Sequence, residues 1–262
     1  MHTLQSLLFT GLAQRHGVSR AMPFSQRAWR KRHFAVDPGG LCAGLAHFWL
    51  MELLQRRRPL GRLRDPTPST LEQIVELQSR SLYPEFSASH EFTDDDLELL
   101  WRKYGSADWV TVSRRIHDAV GGDCILYDLH QLFDYDSARI HTDDVLPVEL
   151  EDFSELEPGS AFVAVLRYRR SGREAGHRVV FYLSRMGRYH FFDPNAGAVV
   201  EPDSSRFRRW LGDYYQVMPQ RSFEPPASGP ALRLYELRGV RCVVRCVASR
   251  PQPAARPRRR DA

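Results

Sequence analysis

The first half of the chain carries hydrophobic residues at helical spacing in several separate segments. Residues 41–58 are rich in Leu, Ala, Met, Phe and Trp, contain no proline and end in three arginines, which favour a helix C-terminus. A proline-broken link at 59–68 leads to a second helical pattern at 71–82. Residues 92–120 are again helical, with a break before a further helix that ends at a pair of glycines.

The hydrophobic period changes in the second half. Residues 161–168, 177–183 and 189–192 are short runs of Val, Phe, Tyr and Leu separated by polar, glycine-containing turns, which is typical of antiparallel hairpins. Residues 204–215 follow a helical pattern, and 232–248 return to a strand pattern. Helices first and an antiparallel sheet second predict an α+β fold.

The two ends of the chain differ from the part between them. With 262 residues, 42% of them hydrophobic, the chain can bury one substantial core, which we place at 37–248. Residues 1–36 are a poorly defined N-terminal arm. Its basic cluster could lie in a disordered segment or in a short helix. Residues 249–262 are rich in Pro and Arg and are expected to form a disordered basic tail that contacts solvent or, alternatively, phosphates or anionic lipid.

Several classes of protein are excluded by composition and by missing motifs. Charged residues interrupt every apolar run before the roughly 20 residues that a membrane span needs. The N-terminus lacks the basic lead-in and small-residue cleavage site of a secretory signal. No phosphate loop and no cysteine pair with zinc-like spacing occurs, so we expect neither a cofactor nor a metal. The net charge of +5 is carried almost entirely by arginine, a bias typical of GC-rich genomes, and it predicts no specific binding of nucleic acid.

Cys42 is the first candidate for chemistry. It follows Gly39, Gly40 and Leu41 and opens an apolar helix, where the helix dipole and free backbone N–H groups favour a thiolate. Cys124 also follows glycines but lacks a comparably clean helix start and a matching histidine, which makes it the weaker nucleophile. Taken alone, a cysteine at this position is more often a buried helix residue, since free cysteine is commonly buried.

His177 and Asp193 are the candidates for its partners. His177 stands at the entry of an apolar strand, and Asp193 ends the next short strand, where it could also cap the turn that follows. A thiolate needs a base within hydrogen-bond reach, and that base needs a partner for its second ring nitrogen. A hairpin can bring His177 and Asp193 side by side. His190 alternates with core residues and is expected to be a packing residue rather than a second base.

Three segments together resemble a known family. The words GGLCAGLAHFWL, GHRVVFYL and FFDPNAG are similar to the motif blocks of the YopT-like and AvrPphB-like cysteine proteases, effectors that bacteria deliver into host cells. The resemblance covers about residues 37–200 and implies a papain-like catalytic domain with Cys42, His177 and Asp193 as its triad. It also implies that the protein resides in the bacterial cytoplasm and then enters a host cell without a classical signal peptide, where a host protein is its substrate.

One position departs from the pattern of papain-like enzymes. They usually place Gln or Asn a few residues before the nucleophile to hold the oxyanion, whereas this chain offers only Asp37 there. An ionised Asp37 would repel the developing charge, so Asp37 contributes only if it is protonated; otherwise the backbone N–H groups near Cys42 must suffice.

Three functions remain open from the sequence. The first is a cysteine endopeptidase, and the second is a deamidase, transglutaminase or acyltransferase that uses the same thioester chemistry. The third is a non-catalytic binding module that uses the Arg-rich ends against an acidic protein or an anionic membrane. The oligomeric state is left open as well.

Overall fold

A seven-stranded antiparallel sheet runs through the centre of the molecule, in the order β1-β7-β6-β5-β4-β8-β3. The computed structural model describes residues 4–36, 40–81, 94–106, 108–120, 123–141, 156–218, 223–226 and 231–242. The strands are β1 Arg20–Pro23, β2 Phe133–Asp134, β3 Ser137–His141, β4 Ala161–Arg170, β5 Arg173–Leu183, β6 Tyr189–Asp193, β7 Gly197–Glu201, β8 Leu232–Arg238 and β9 Arg241–Cys242. Strands β2 and β9 form a separate two-stranded ladder.

Helices cover both faces of this sheet. They are α1 Leu4–Arg15, α2 Gln26–His33, α3 Cys42–Leu54, α4 Pro59–Arg64, α5 Pro68–Ser81, α6 Asp94–Tyr104, α7 Trp109–Val120, α8 Cys124–Leu132 and α9 Ser204–Val217. Helices in the first half and an antiparallel sheet built mostly from the second half confirm the predicted α+β class. Among the residues that the structure describes, no helix combines the length and apolar character that crossing a bilayer would require.

Strand β4 separates two hydrophobic cores by alternation of its side chains. Phe162, Ala164 and Leu166 pack on the side of α1 and α9, whereas Val163 and Val165 pack on the side of α3, α5 and α8. Successive side chains of a strand point to opposite faces, so a strand covered on both faces is hydrophobic throughout. This is why the segment appears in the sequence as an unbroken apolar run.

The N-terminal residues form regular structure and join the core. Helix α1 buries Phe9 completely, strand β1 pairs with β7, and α2 buries Trp29. The short helix, and not a disordered segment, therefore carries the basic cluster that the sequence left undecided. The sequence pattern does not predict helix α1, because its hydrophobic positions do not repeat at a clear helical interval.

The helix predicted at 41–58 ends earlier than expected. Helix α3 stops at Leu54, and Arg56 takes a left-handed backbone conformation with φ of 58°. The arginines beyond it leave the helix, and Arg57 bonds to the buried carboxylate of Glu52. The link at 59–68 contains the short helix α4, which begins at a proline, a residue suited to the first helical position.

Close helix packing positions α3 against α5. A Cβ atom at Gly44 would lie 2.2 Å from the carbonyl oxygen of Ile74, so only glycine allows the two backbones to come this close. The Gln78 side chain accepts a hydrogen bond from the Gly44 N–H at 2.9 Å. This contact holds the first turn of α3, the turn that begins with Cys42.

Candidate functional site

Cys42 is the first residue of α3, and two glutamines from other helices cap that helix end. The N-cap residue Leu41 has no side chain that could accept a hydrogen bond, which leaves the first N–H groups of the helix without a local acceptor. Gln26 accepts from the Leu41 N–H at 3.1 Å, and Gln78 accepts from the Gly44 N–H. Within the described residues, the N–H groups of Cys42 and Ala43 keep no acceptor.

His177 and Asp193 face each other across neighbouring strands. The His177 Nε2 atom lies 2.8 Å from Asp193 Oδ1, and both side chains are buried. The sequence placed His177 at a strand entry, but β5 begins earlier, at Arg173. The β4–β5 hairpin turns at Ser171 and Gly172, which both have positive φ as a tight hairpin turn requires.

Two further groups fix Asp193. Its Oδ1 also accepts from the Asn195 backbone N–H at 2.7 Å, which makes Asp193 the turn cap that its sequence position allows. Its Oδ2 accepts from the Tyr214 hydroxyl of α9 at 2.6 Å. Burial tends to raise the pKa of Asp193, but the charge of His177 and these hydrogen bonds outweigh it and lower the pKa. The carboxylate is therefore held ionised.

Cys42 lies beside His177, which belongs to the central strand β5. Its Sγ atom is 3.9 Å from the carbonyl oxygen of Gly176, the residue before His177. Burial raises the thiol pKa of Cys42, but hydrogen bonding to His177, the charge of His177 and a contribution from Arg178 outweigh it, so the pKa is lowered. Burial lowers the pKa of His177, and Asp193 and Cys42 reverse this and raise it to about 10. The two shifts favour a thiolate beside an imidazolium.

A buried arginine stands behind this pair, and the sequence reasoning did not single it out. Arg178 is 4% exposed, and its Nη1 donates to the Nε2 atom of His47 at 3.1 Å. His47 in turn contacts the Ser81 hydroxyl through Nδ1 at 3.2 Å. Burial and the charge of Arg178 hold the pKa of His47 well below its usual value, so this histidine is neutral. The positive charge of Arg178 therefore acts on Cys42 undiminished by His47.

An amide relay connects the nucleophile's helix to the histidine. The Gln26 Nε2 atom donates to Asn195 Oδ1 at 2.5 Å, and Asn195 Nδ2 lies 3.3 Å from His177 Nδ1. A backbone N–H can only donate, so the Leu41 N–H orients Gln26 and thereby Asn195. When His177 is neutral, its Nδ1 atom, the ring nitrogen left free by Asp193, accepts an N–H from Asn195; in the imidazolium that nitrogen carries its own proton. The sequence contained no local signal for Gln26, because it lies in a different helix from Cys42.

The remaining candidates fall outside this site. Asp37 lies outside the described residues, so its part in an oxyanion hole stays a prediction. Cys124 does open a helix, α8, with Asp123 as its N-cap, which corrects the expectation of a poor helix start. Burial raises the pKa of Cys124, and the negative charges of Asp128 and Asp123 raise it further. The positive charge of Lys103 lowers it, but by less than these effects. His190 packs against Trp49 and Tyr182, and burial with Arg188 lowers its pKa to about 4.

The arrangement combines the parts of a covalent acyl-transfer site. It has a thiol of lowered pKa at a helix N-terminus, an imidazole within reach of it, and a buried carboxylate that fixes the imidazole. The backbone N–H groups of the first turn of α3 and the side-chain amide of Gln26 lie beside Cys42, where they could hold an oxyanion. Among the described residues, no group of three or more His, Cys, Asp or Glu side chains could hold a metal ion.

No protein-family model and no curated protein matches the chain in sequence. Solved structures that are similar to it include two bacterial proteins. One is the Pseudomonas avirulence protein AvrPphB, at 14% identity and a TM-score of 0.45 over 77% of this chain and 91% of that one. The other is PatoxP, a cysteine protease-like domain of the Photorhabdus asymbiotica toxin PaTox, at 11% identity and a TM-score of 0.43 over 89% of this chain and 57% of that one.

Proposed function

We propose that this chain is a cysteine endopeptidase whose nucleophile is Cys42, whose acid and base is His177, and whose orienting residue is Asp193. The observation that carries the proposal is the juxtaposition of Cys42 at the N-terminus of α3 with a buried His177 that is bonded to Asp193 at 2.8 Å. The lowered pKa of Cys42 and the raised pKa of His177 support the same assignment.

The first chemical step forms a thioester. The Cys42 thiolate attacks the carbonyl carbon of the scissile amide, and a new C–S bond forms as the carbonyl oxygen becomes an oxyanion. The His177 Nδ1 atom, the ring nitrogen not bonded to Asp193, transfers its proton to the departing amine as the C–N bond breaks. The products of this step are the free amine and an acyl group on Cys42.

The oxyanion would be held by the Cys42 backbone N–H and by the Gln26 amide. Gln26 Nε2 carries two hydrogens, and Asn195 accepts only one of them. The second hydrogen is available to the oxyanion, which would form beside the first turn of α3, the turn that Gln26 caps. Gln26 would thus supply a neutral side-chain donor, whereas the sequence near Cys42 offered only Asp37.

Hydrolysis of the thioester completes the cycle. His177, now neutral, removes a proton from a water molecule, which attacks the acyl carbon, and the C–S bond breaks to return the thiolate. The acyl group could instead pass from Cys42 to an amine or hydroxyl acceptor. Attack of Cys42 on the side-chain amide of a glutamine, with release of ammonia and hydrolysis of the thioester, would give deamidation. In keeping with the family resemblance, we propose a host protein as the substrate and delivery from bacterial cytoplasm into a host cell.

The test exposes host-cell lysate to wild-type protein and to Cys42→Ala, followed by mass spectrometry. New peptide termini that appear only with the wild type would support the endopeptidase. Deamidated or cross-linked glutamines without new termini would replace it with the acyl-transfer alternative. Identical lysates would leave the non-catalytic binding module, and an affinity capture that Cys42→Ala does not weaken would then identify its partner.

A further inference from the structure

A concave, arginine-lined cavity lies on the side of the fold formed by β1, β7 and β6 together with α2, α3 and α4. It has a volume of about 960 Å³, within the range of pockets that hold small organic ligands. Residues lining its apolar part include Phe24, Trp29, Trp49, Leu53 and Leu60. The residues of the candidate active site do not line it, so a ligand here would serve another purpose.

Positive charge is concentrated around this cavity. Over the whole chain, 37 basic and 32 acidic side chains nearly balance. The described lining residues instead include no Asp or Glu and six arginines: Arg20, Arg32, Arg57, Arg58, Arg64 and Arg188. Of these six, Arg57 is the one that pairs with a carboxylate in the described part of the chain, that of Glu52. The other five form no ion pair with the described residues, so positive charge is in excess around this concavity.

The chemistry of these groups matches phosphate. A guanidinium presents several N–H donors in a planar fork that fits two phosphate oxygens at once. Low-dielectric walls of aromatic and aliphatic side chains focus the field of the surrounding charges into the cavity. Trp49 adds a donor, because its indole N–H is buried and has no hydrogen-bond partner among the described residues.

We propose that this cavity binds a small organic molecule that carries several phosphate groups. Arginines from β1, α4 and the β5–β6 turn, represented by Arg20, Arg64 and Arg188, would contact the phosphates from different sides. The apolar floor would contact the organic part. The phosphates could belong to a soluble inositol phosphate or to the headgroup of a phosphoinositide lipid, which share this chemistry.

Binding is tested by calorimetry with inositol hexakisphosphate on full-length Cys42→Ala protein, which keeps the measurement independent of any activity at Cys42. The cavity variant R20Q/R64Q/R188Q is compared with the control R15Q/R114Q/R209Q, which removes the same charge from exposed positions elsewhere. We expect saturable binding that the cavity variant weakens by about tenfold or more and the control leaves nearly unchanged. The unfolding temperature of each variant is measured as well. If the triple variant is unstable, the single variants R64Q and R188Q are used for the binding comparison instead.

The outcomes separate the proposal from charge alone and identify the source of the phosphates. Equal weakening by the two triple variants, or no saturable binding, would overturn it. Vesicles with phosphatidylinositol 4,5-bisphosphate are then compared with soluble inositol trisphosphate and with phosphatidylserine vesicles of equal charge. Binding of soluble inositol trisphosphate without binding of the phosphoinositide vesicles indicates a free ligand, and binding restricted to phosphoinositide vesicles indicates a lipid. Equal binding to phosphatidylserine vesicles would contradict a built site.

Discussion

The guanidinium of Arg178 lies buried beside the imidazole of His47, with 3.1 Å between Nη1 and Nε2. Because the guanidinium donates to that nitrogen, His47 accepts and stays neutral, and it leaves the charge of Arg178 uncancelled next to Cys42. A buried cation normally requires compensation. A thiolate at Cys42 would supply a negative charge near Arg178. The buried charge of Arg178 therefore favours ionisation of Cys42, and ionised Cys42 in turn stabilises the charge of Arg178.

Arg178→Gln should raise the thiol pKa of Cys42, because it removes a positive charge that favours the thiolate. The rate of Cys42 alkylation, followed by peptide mass spectrometry as a function of pH, should reach its half-maximum at a higher pH than in wild type. Arg178→Lys keeps the positive charge and should therefore shift this half-maximum to a smaller extent. Arg173→Gln, at an exposed position of the same strand, is the matched control and should leave the profile unchanged.

Cys42 should react with iodoacetamide before Cys124. The pKa of Cys42 is lowered and that of Cys124 is raised, so at neutral pH the thiolate fraction is larger at Cys42. Liquid chromatography and mass spectrometry of briefly treated protein gives the order. Faster labelling of Cys124 would mean that the nucleophile has been misassigned.

Replacements of Asp193 should have unequal effects. Asp193→Asn keeps an oxygen that can accept from His177 Nε2, so measurable turnover of the substrate found in lysate should persist. Asp193→Ala removes it and should reduce kcat by about 10²- to 10⁴-fold. If Asp193 were only a turn cap, both variants would lower the unfolding temperature without changing turnover per folded molecule.

The two glutamines that cap α3 provide an internal comparison. Gln78→Ala should lower the free energy of unfolding by about 1 kcal/mol, as loss of a helix cap does, and leave turnover unchanged. Gln26→Ala should also reduce kcat by about 10²-fold, the effect of losing one oxyanion donor. Alkylation of Cys42 forms no oxyanion, so its rate should be preserved in both variants. A Gln26→Ala protein with normal kcat would remove Gln26 from the oxyanion site.

His177 should make stability depend on pH above neutrality. Its folded pKa is raised from 6.5 to about 10, so the stabilisation is complete below pH 6.5 and is lost as pH rises toward 10. The lowered pKa of Cys42 acts in the opposite direction, so the Cys42→Ala background isolates the histidine. Without Cys42 the pKa of His177 is still raised by Asp193, though by less, so in that background the unfolding temperature should fall as pH rises above 6.5, and the added change His177→Gln should flatten the fall. An equal slope in both proteins would contradict the ion pair with Asp193.

The sequence by itself located the elements that carry Cys42, His177 and Asp193. Each lies in a local pattern that its own neighbours determine: glycines before an apolar helix, a run of alternating strand residues, and a proline-containing turn after a strand. The hydrophobic period also predicted helices α3, α5, α6, α7 and α9 and strands β4, β5, β6 and β8, whereas α1, α4, α8 and strands β1, β2, β3 and β7 were not predicted. These features depend on contacts close in the chain, which a pattern of residues encodes directly.

Only the tertiary structure decided what surrounds those three residues. Gln26, Arg178 and Tyr214 reach the site from α2, β5 and α9, and no spacing in the sequence relates Gln26 or Tyr214 to Cys42. The left-handed Arg56 ended α3 early, and α1 formed because Phe9 and its neighbours are buried against the sheet. Side-chain hydrogen bonds and burial between distant segments depend on how whole elements pack, so the residue pattern specified the candidate nucleophile and its partners, while packing determined their pKa values and orientation.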